Sequence, residues 1–318
     1  MSIFDLRVAL VGAFQNGKST LVNCLLGGLY SRMGYGVKTT PCCYSFIYGE
    51  TEAAKLIHRV DGGGAKIRPI LREELLSPRF SCPAGDRVEI ACPSSLLERS
   101  ICLIDTPGFN ADARDDAAAA EEINSADLVI FVTDARKTLT SHEKEKILKK
   151  IGRSGKKMIF LLNCNNIDCG LINNWLPSAD HNQEIAADIE SDLCELGLGD
   201  LSIRIRERLV WPCNPIFAWY ASGLLQRDLE NPHPGVYDAA DRIEQIRFFC
   251  DKQKWPADEP KRKELLLRAS GIIELRQAIE DNASVRHEYD SLAKEFAALL
   301  RRLSSKTADI ITEMGRSK

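Results

Sequence analysis

Short apolar runs alternate with stretches of helical periodicity between residues 8 and 213. The runs are typical of strands buried on both faces of a sheet, whereas apolar residues that recur every three or four positions are typical of helices. The predicted strands are Val8–Gly12, Ile101–Asp105, Leu128–Thr133, Met158–Asn163 and Leu209–Cys213. The predicted helices are Lys18–Leu26, Asp115–Asn124, Ser141–Ile151 and Ile185–Leu196. This order predicts an α/β fold, a doubly wound and mostly parallel sheet with helices on both faces.

A second pattern occupies the region between Tyr44 and Cys92. Tyr44–Tyr48 and Arg87–Cys92 alternate apolar and polar side chains, as half-exposed strands do. The run from Asp61 to Gly64 is predicted to be a flexible turn, because consecutive glycines follow the aspartate. We therefore expect an antiparallel edge of the sheet, with an insertion in it.

The chain becomes more charged and less regular after about Gln226. Prolines interrupt any long helix there, at Pro232, Pro234, Pro256 and Pro260. Further on, Ile272 to about Glu280 and the stretch from Ser284 to Met314 are predicted to be helical. The last stretch carries an apolar stripe at helical spacing, formed by Leu292, Phe296, Leu299, Leu300 and Leu303. The stripe has two interpretations, packing against the globular domain or contact with a partner helix or a second copy.

Composition narrows the classes of protein that fit this pattern. The 318 residues are 44% apolar and 27% charged, with a net charge of −3, which is ordinary for a globular protein. Bulk electrostatics would not hold such a chain to nucleic acid, so no nucleic-acid partner is expected. Asp5 and Arg7 interrupt the opening residues, and no apolar run is long enough to span a bilayer. We therefore expect a cytoplasmic protein.

The 11 cysteines do not form the paired C-x-x-C knuckles of a zinc site. Several lie in the predicted buried strands, where an unpaired cysteine packs as a small apolar side chain. Because the cytoplasm is reducing, disulfides are not expected either. We interpret the cysteines as structural thiols.

The segment from Gly12 to Thr20 directly follows the first predicted strand and contains the pattern G-x-x-x-x-G-K-S. In that pattern, backbone N–H groups turn inward around a polyphosphate, the lysine reaches the β- and γ-phosphates, and the serine hydroxyl ligates Mg²⁺. The positive end of the following helix points at the same anion. The predicted nucleotide-binding residues here are Gly12, Asn16, Gly17, Lys18, Ser19 and Thr20. The alternative is an ordinary glycine turn with a solvated lysine.

A second motif, D-T-P-G at positions 105 to 108, follows the predicted strand that begins at Ile101. Asp105 can hold Mg²⁺ through a water, and the Gly108 amide can reach a γ-phosphate because no side chain obstructs it. That contact exists only with a triphosphate, so residues 109 to 116 are predicted to be a switch loop. The alternative is an ordinary turn.

A third motif, Thr39-Thr40-Pro41, lies in the loop between the first helix and the next strand. A threonine here can place its hydroxyl on Mg²⁺ and its carbonyl on an attacking water. We prefer Thr40 to Thr39 for this role, because Pro41 fixes the backbone immediately after it. The alternative is a pair of threonines in a plain β-turn. The predicted metal ligands are thus Ser19, Thr40 and Asp105.

A fourth motif, Asn165-Asn166-Ile167-Asp168, follows the predicted strand Met158–Asn163 and resembles the N-K-x-D box that recognises guanine. Asp168 would accept hydrogen bonds from the guanine N1–H and exocyclic amine, which adenine cannot supply, while Asn165 organises the loops. Asn166 replaces the lysine whose stem covers the base, so stacking area is lost. A register that uses Asn163 instead leaves no aspartate three residues on.

The last base-contacting loop is expected after the strand that ends at Cys213, where Asn214-Pro215 stands in place of the usual Ser-Ala. Backbone N–H groups of this loop are candidates for contact with the guanine O6. Pro215 has no N–H to donate, which weakens this part of the predicted site.

These motifs, in this order, resemble those of the dynamin superfamily of GTPases, nearest to bacterial dynamin-like proteins and mitofusins. The segments that carry the resemblance are GAFQNGKSTLVNCLLG, TTPC, ICLIDTPGFN, ADLVIFVTDARKTLTSHEKE, LLNCNNID and LVWPCNPIFAW, and SGIIELRQAIE matches more weakly. The resemblance implies a P-loop NTPase G domain over residues 1–225. Residues 226–283 would be an irregular to helical extension that completes this domain, and residues 284–318 a C-terminal amphipathic helix.

The resemblance also implies roles for residues and partners. Dynamin carries a glutamine and a serine at the third and fourth positions of the phosphate loop, which orient water and help to hold a monovalent cation. Phe14 cannot orient water, whereas Gln15 is a candidate ligand for that cation. The candidate catalytic residues are Lys18, Thr40, Gln15 and Gly108. Members of the family pair their G domains across the nucleotide and remodel membranes, so a homodimer, a helical partner and a membrane-associated partner are candidates, with a location peripheral to a membrane.

Two functions follow from the residues and the resemblance. The first is a Mg²⁺-dependent switch that binds GTP and GDP and hydrolyses GTP slowly unless dimerisation completes the site. The second is a guanine-nucleotide-binding interaction module with negligible hydrolysis, which Phe14, Asn166 and Asn214-Pro215 favour. An RNA-associated GTPase would be expected to carry a basic appendage, and an ATP enzyme would leave Asn165 and Asp168 without a purpose.

Overall fold

The structure, a computed structural model, describes most of the chain up to residue 284. The described residues are 6–33, 40–60, 64–77, 79–83, 85–108, 113–134, 140, 143, 157–163, 187–188, 190–192, 194–195, 210–230, 239–252 and 254–284. The C-terminal stretch from 285 to 318, with its predicted apolar stripe, lies outside this range.

One mixed sheet of nine strands forms the centre of the described residues. The strands are β1 Leu6–Val11, β2 Cys43–Tyr48, β3 Ala53–Val60, β4 Gly64–Ile70, β5 Arg87–Cys92, β6 Ile101–Asp105, β7 Leu128–Asp134, β8 Lys157–Asn163 and β9 Val210–Cys213. Their order across the sheet is β4-β3-β5-β2-β6-β1-β7-β8-β9. The strands β6, β1, β7, β8 and β9 run parallel to one another. The predicted mostly parallel α/β sheet is therefore confirmed.

Helices surround the sheet and continue after its last strand. They are α1 Lys18–Leu26, α2 Arg72–Leu76, α3 Ala113–Ser125, α4 Pro215–Ala221, α5 Leu224–Glu230, α6 Ala239–Lys252, α7 Glu259–Ala269 and α8, residues 272–284. The described residues between 187 and 195 are helical too, whereas the predicted helix Ser141–Ile151 lies outside the described residues except for Glu143. Within the described ranges, every helix is too short or too polar to cross a bilayer.

Glycines at both ends fix the bounds of α1, which are the predicted ones. Gly17, the residue before the helix, has a left-handed backbone (φ 81°), and so has Gly27 after it (φ 73°). Glycine adopts a left-handed backbone without strain, whereas other residues are strained in it. The local sequence therefore fixes both ends of α1. Between them, Leu21, Val22 and Leu25 are buried against the sheet.

Two apolar clusters hold the helices in place. The first lies under α1 and includes Leu275 and Ile279 of α8, which are fully buried, so the C-terminal helices pack on the same cluster as α1. The second joins α4, α6 and α7 through side chains such as Phe217, Phe249 and Leu266. Burying each of these side chains is worth about 1.5–3 kcal/mol. The helices after the sheet are therefore part of the folded core.

The hairpin of β3 and β4 forms one edge of the sheet and was not predicted as strands. Its side chains are mostly exposed, so apolar and polar positions do not alternate. The predicted antiparallel edge is present, because β3 pairs antiparallel with both β4 and β5. However, β2 and β5 run parallel to each other. The strand β2 is more buried than predicted, since its first four residues are all buried.

The cysteines that lie in strands are buried and form no disulfide bond: Cys43, Cys92, Cys102 and Cys213. Burial raises the pKa of Cys92 and of Cys102 to about 12. These two side chains are thus neutral at physiological pH and pack as small apolar groups.

Candidate nucleotide-binding site

Three of the predicted motifs, the phosphate loop, the D-T-P-G motif and Thr40, meet at the carboxyl edge of the parallel strands. The phosphate loop follows β1 and leads into α1, and Asp105 ends β6, the parallel neighbour of β1. Leu10 of β1 pairs with Asp105 across the two strands. On the other side of β1, the strands β7 and β8 end at the same edge. Ligands of open α/β sheets bind at this edge, so the topology places the candidate site there.

The lysine of the phosphate loop lies across the loop itself. Lys18 Nζ donates hydrogen bonds to the carbonyl oxygens of Gly12 (3.1 Å) and Ala13 (3.0 Å). Its side chain is 6% exposed, which differs from the solvated lysine of an ordinary glycine turn. The positive charge is therefore held beside the loop amides, where an anion seated on those amides would meet it.

The outer side of the phosphate loop is anchored through Asn16. The Asn16 carbonyl accepts a hydrogen bond from Asn163 Nδ2 (2.7 Å) at the end of β8. Asn16 Nδ2 donates to the carbonyl of Val132 in β7 (3.0 Å) and to Glu143 Oε1 (3.3 Å). Asn163, the alternative register of the base-recognition motif, is thus a loop-organising residue in this structure.

Asp105 brings the three predicted metal ligands together. Its Oδ2 accepts hydrogen bonds from Ser19 Oγ (2.8 Å) and Thr40 Oγ1 (3.4 Å), and these two hydroxyls lie 3.0 Å apart. Ser31 Oγ, which was not predicted, donates to the same oxygen at 2.8 Å. Asp105 is fully buried, so the cluster is shielded from solvent.

The electrostatics of this cluster suit a small divalent cation. Burial raises the pKa of the Asp105 carboxyl, while Lys18 and the hydrogen bonds from the hydroxyls oppose the rise. Asp105 Oδ1 is buried and has no hydrogen-bond partner among the described residues. The unpartnered carboxylate oxygen of Asp105 and the hydroxyl oxygens of Ser19 and Thr40 are all hard ligands. The residues present therefore fit Mg²⁺.

Gly108 packs directly against the phosphate loop. A Cβ atom at position 108 would lie 2.5 Å from Phe14 Cα and 2.8 Å from the Phe14 backbone nitrogen. A side chain at Gly12 would likewise lie 2.2 Å from the carbonyl oxygen of Val132. The D-T-P-G motif can approach the phosphate loop this closely only because position 108 is glycine, and the phosphate loop can lie against β7 only because position 12 is glycine.

The remaining predicted site residues separate into two groups. Thr39, Asn165 and Asp168 lie outside the described residues, as does the first part of the predicted switch, residues 109–112. Gln15 is exposed and has a left-handed backbone (φ 67°), and Thr20 lies in the first turn of α1. The base-recognition motif is thus a sequence prediction, whereas the phosphate and metal residues are assembled.

The Asn214-Pro215 turn is a helix cap. Asn214 Oδ1 accepts a hydrogen bond from the Phe217 backbone N–H (3.2 Å), and Pro215 begins α4. The Asn214 N–H donates to the Ser270 carbonyl (2.8 Å). Because that N–H is engaged and Pro215 has none, this dipeptide does not offer the predicted backbone donors to a base.

The sequence did not predict three residues of the hydrogen-bond network around the phosphate loop and Asp105, namely Ser31, Glu143, and Asn163 in its observed role. Ser31 lies in an irregular stretch after α1 and carries no motif. Glu143 could have been found from the sequence, because Thr140 and Glu143 match the T-x-x-E capping box that is typical of a helix start.

The fold and the assembled loop define a P-loop nucleotide-binding protein with a G-domain-like fold. The family model described as the dynamin family matches residues 8–164. This part of the chain belongs to the dynamin family and is a GTPase domain of that family.

Curated relatives match about half of the chain. It is 30% identical over 164 residues to the probable transmembrane GTPase FZO-like, chloroplastic, of Arabidopsis thaliana, and 27% identical over 164 residues to mitofusin-2 of Mus musculus. It is 27% identical over 168 residues to dynamin-like protein A of Bacillus subtilis. Each match covers 50% of this chain but only 15%, 21% and 13% of the relative. The chain therefore spans well under half the length of these relatives.

A solved structure of an oligomerised bacterial dynamin pair superposes on 97% of this chain and 45% of that chain. The TM-score is 0.47 and the sequence identity 15%.

Proposed function

We propose that the domain binds GTP with Mg²⁺ and hydrolyses it slowly, acting as a nucleotide-dependent switch. The observation that carries the proposal is the cluster of Ser19, Thr40 and Asp105 beside the phosphate loop. The Asp105 carboxylate also has a buried oxygen, Oδ1, without a hydrogen-bond partner among the described residues, so its coordination is incomplete. A metal bound to phosphate oxygens would complete it.

Each residue of the site has a role in this proposal. Lys18 and the loop amides neutralise charge on the transferring phosphoryl group. Ser19, Thr40 and Asp105 would hold Mg²⁺, which supplies further positive charge at the phosphate oxygens. The Gly108 amide would contact the γ-phosphate, and the Thr40 carbonyl would accept a hydrogen bond from the attacking water. Hydrolysis forms a bond from this water to the γ-phosphorus and breaks the bond to the leaving β-phosphate oxygen.

The preference for guanine depends on Asp168 in this proposal, with Asn165 organising its loop. Calorimetric titration with GTP, GDP and ATP analogues, with and without Mg²⁺, tests it. We expect guanine nucleotides to bind more tightly than adenine nucleotides. Asp168→Asn should shift the preference toward xanthine nucleotides, because the amide presents a donor where the carboxylate accepts. Equal affinity for ATP and GTP would contradict the base assignment.

The proposed slow hydrolysis follows from two sequence positions in and next to the phosphate-binding motifs. Phe14 and Phe109 stand where a water-orienting polar residue would be expected. We propose that a second copy pairs across the nucleotide face and raises the rate, with Gln15 a candidate cation ligand. Turnover per molecule should then rise with protein concentration. A rate independent of concentration over a wide range would exclude this pairing.

A second candidate function, guanine-nucleotide binding with negligible hydrolysis, is favoured by one specific observation. The Phe14 backbone lies against Gly108, so the loop presents an apolar residue beside the motif that would contact the γ-phosphate. A single-turnover assay of phosphate release separates the two functions. Release on the scale of minutes supports a slow GTPase, whereas bound GTP that persists for hours supports the binding module.

We also propose a cytoplasmic location peripheral to a membrane. The relatives from Arabidopsis thaliana and Caenorhabditis elegans carry the words transmembrane GTPase in their names. Flotation of the purified chain with phospholipid vesicles, with and without GTP, tests this location. Failure to float in both states would exclude direct binding to lipid.

A further inference from the structure

The phosphate loop has an anchor that lies outside its own motif. Glu143 is 3% exposed, although glutamate is almost never fully buried unless its carboxylate is paired. Its Oε2 accepts hydrogen bonds from the Thr140 N–H (2.9 Å) and Oγ1 (2.8 Å), and its own N–H donates to Thr140 Oγ1 (3.3 Å). These bonds form a capping box, which uses one carboxylate oxygen.

The second carboxylate oxygen reaches the phosphate loop. Glu143 Oε1 accepts a hydrogen bond from Asn16 Nδ2 at 3.3 Å. The same Nδ2 donates to the Val132 carbonyl at 3.0 Å, so both amide protons of Asn16 have buried acceptors. Glu143 thus connects the start of the segment after β7 to the residue that precedes Gly17.

Fixing Asn16 also sets the direction of the next amide. The Asn16 carbonyl points outward to Asn163 Nδ2 at 2.7 Å. In a trans peptide the C=O and the following N–H point in opposite directions. The Gly17 N–H is therefore turned to the inner side of the loop, where an anion would be bound.

We infer that Glu143 is a positioning residue for nucleotide binding, because its carboxylate holds Asn16 and thereby orients the amides of the phosphate loop. This inference rests on the proposed function, since it concerns the affinity for guanine nucleotide. Amides that are oriented before binding do not have to be ordered by the ligand. Glu143→Ala leaves one buried proton of the Asn16 amide without its acceptor, and we expect about tenfold weaker binding of GDP.

Thr140→Ala supplies the matched control. It removes the hydroxyl of the capping box but leaves the bond between Glu143 and Asn16 in place. Both variants should lower the melting temperature, because both remove hydrogen bonds of the capping box. Only Glu143→Ala should weaken GDP binding, while Thr140→Ala should stay within about twofold of the wild type.

The experiment is a fluorescence titration of the full chain with ribose-labelled GDP. It compares the wild type, Thr140→Ala, Glu143→Ala, Asn16→Ala and the double variant Asn16→Ala/Glu143→Ala. Because the effect of Glu143 passes through Asn16, Glu143→Ala should cause no further loss in the Asn16→Ala background. Equal affinity of the Thr140 and Glu143 variants, or fully additive losses in the double variant, would overturn the inference.

Two further outcomes are also decisive. If Glu143→Ala does not fold, Glu143→Gln keeps the volume and one acceptor oxygen, and it should bind GDP about threefold more weakly than Thr140→Ala. Equal binding by those two variants would overturn the inference while the proposed function stands. A wild-type chain that binds no guanine nucleotide would overturn both.

Discussion

The carboxyl edge of the parallel strands and the hairpin of β3 and β4 use polar side chains in opposite ways. At the carboxyl edge, Asp105 is fully buried and accepts hydrogen bonds from three hydroxyl groups. At the hairpin, Arg59 pairs with Glu121 and Arg68 pairs with Glu74. Between 39% and 54% of each of these side chains is exposed. Both regions contain close polar contacts, but in very different surroundings.

This difference indicates which of the two regions is more sensitive to mutation. A buried polar group that loses its partner costs much more than an exposed one, because water cannot replace the lost contact. Exposed ion pairs contribute between zero and about 1 kcal/mol each. Substitutions at the carboxyl edge should therefore have large effects, and equivalent substitutions at the hairpin small ones.

The largest expected effect is that of Lys18→Ala. It removes the buried charge beside the phosphate loop, so we expect affinity for GTP to fall by about a hundredfold or more. Lys55→Ala, in the half-exposed pair of Lys55 with Glu89, is the matched control and should leave affinity unchanged. Calorimetry measures both. Similar affinities for the two variants would contradict the assignment of Lys18.

A pair of glycine substitutions contrasts the two regions directly. Gly108→Ala places a methyl group 2.5 Å from Phe14 Cα, and we expect a loss of about 1–3 kcal/mol of unfolding free energy. Gly64→Ala in β4 meets no atom within 4 Å and should change stability by less than about 0.5 kcal/mol. Denaturant titration gives both values. The comparison between the regions fails if Gly64→Ala is the more damaging.

Asp105→Asn tests the metal site itself. An amide keeps the size of the side chain but replaces one acceptor oxygen with a donor, so we expect the gain in GTP affinity produced by Mg²⁺ to fall about tenfold. Affinity measured without Mg²⁺ should change much less, which serves as the internal control. An unaltered dependence on Mg²⁺ would place the metal elsewhere.

The smallest expected effect is that of Arg59→Ala at the hairpin. The hydrogen bond from Arg59 lowers the pKa of Glu121, so the pair stabilises the fold above the ordinary glutamate pKa, and this contribution is lost as pH falls through the lowered value. At pH 7 we expect a loss below about 1 kcal/mol. The difference from the wild type should be smaller at an acidic pH below the lowered Glu121 pKa, where the carboxyl is neutral in both proteins. Denaturation curves at the two pH values check this sign.

The elements that could be predicted from the sequence are those with a local physical cause. The five parallel strands are apolar runs because both faces are covered, and α1 is bounded by left-handed glycines. The meeting of the phosphate loop with Asp105 followed from the rule that parallel strands share a carboxyl edge.

The parts that escaped prediction depend on exposure or on distant contacts. The strands β3 and β4 are mostly exposed, so they carry no apolar period. Asn163 and Asn16 are 147 positions apart, Glu143 and Asn16 are 127 apart, and Ser31 and Asp105 are 74 apart. Their pairing is set by the order of strands in the sheet, which short sequence patterns do not encode.

The hydrogen bond from the Asn214 N–H to the Ser270 carbonyl has a consequence for how the protein can be divided. Proteolysis or truncation near residue 225 would remove the acceptor of a buried N–H and strip Leu275 and Ile279 from the face of α1. The smallest autonomous fragment is therefore expected to extend at least to residue 284.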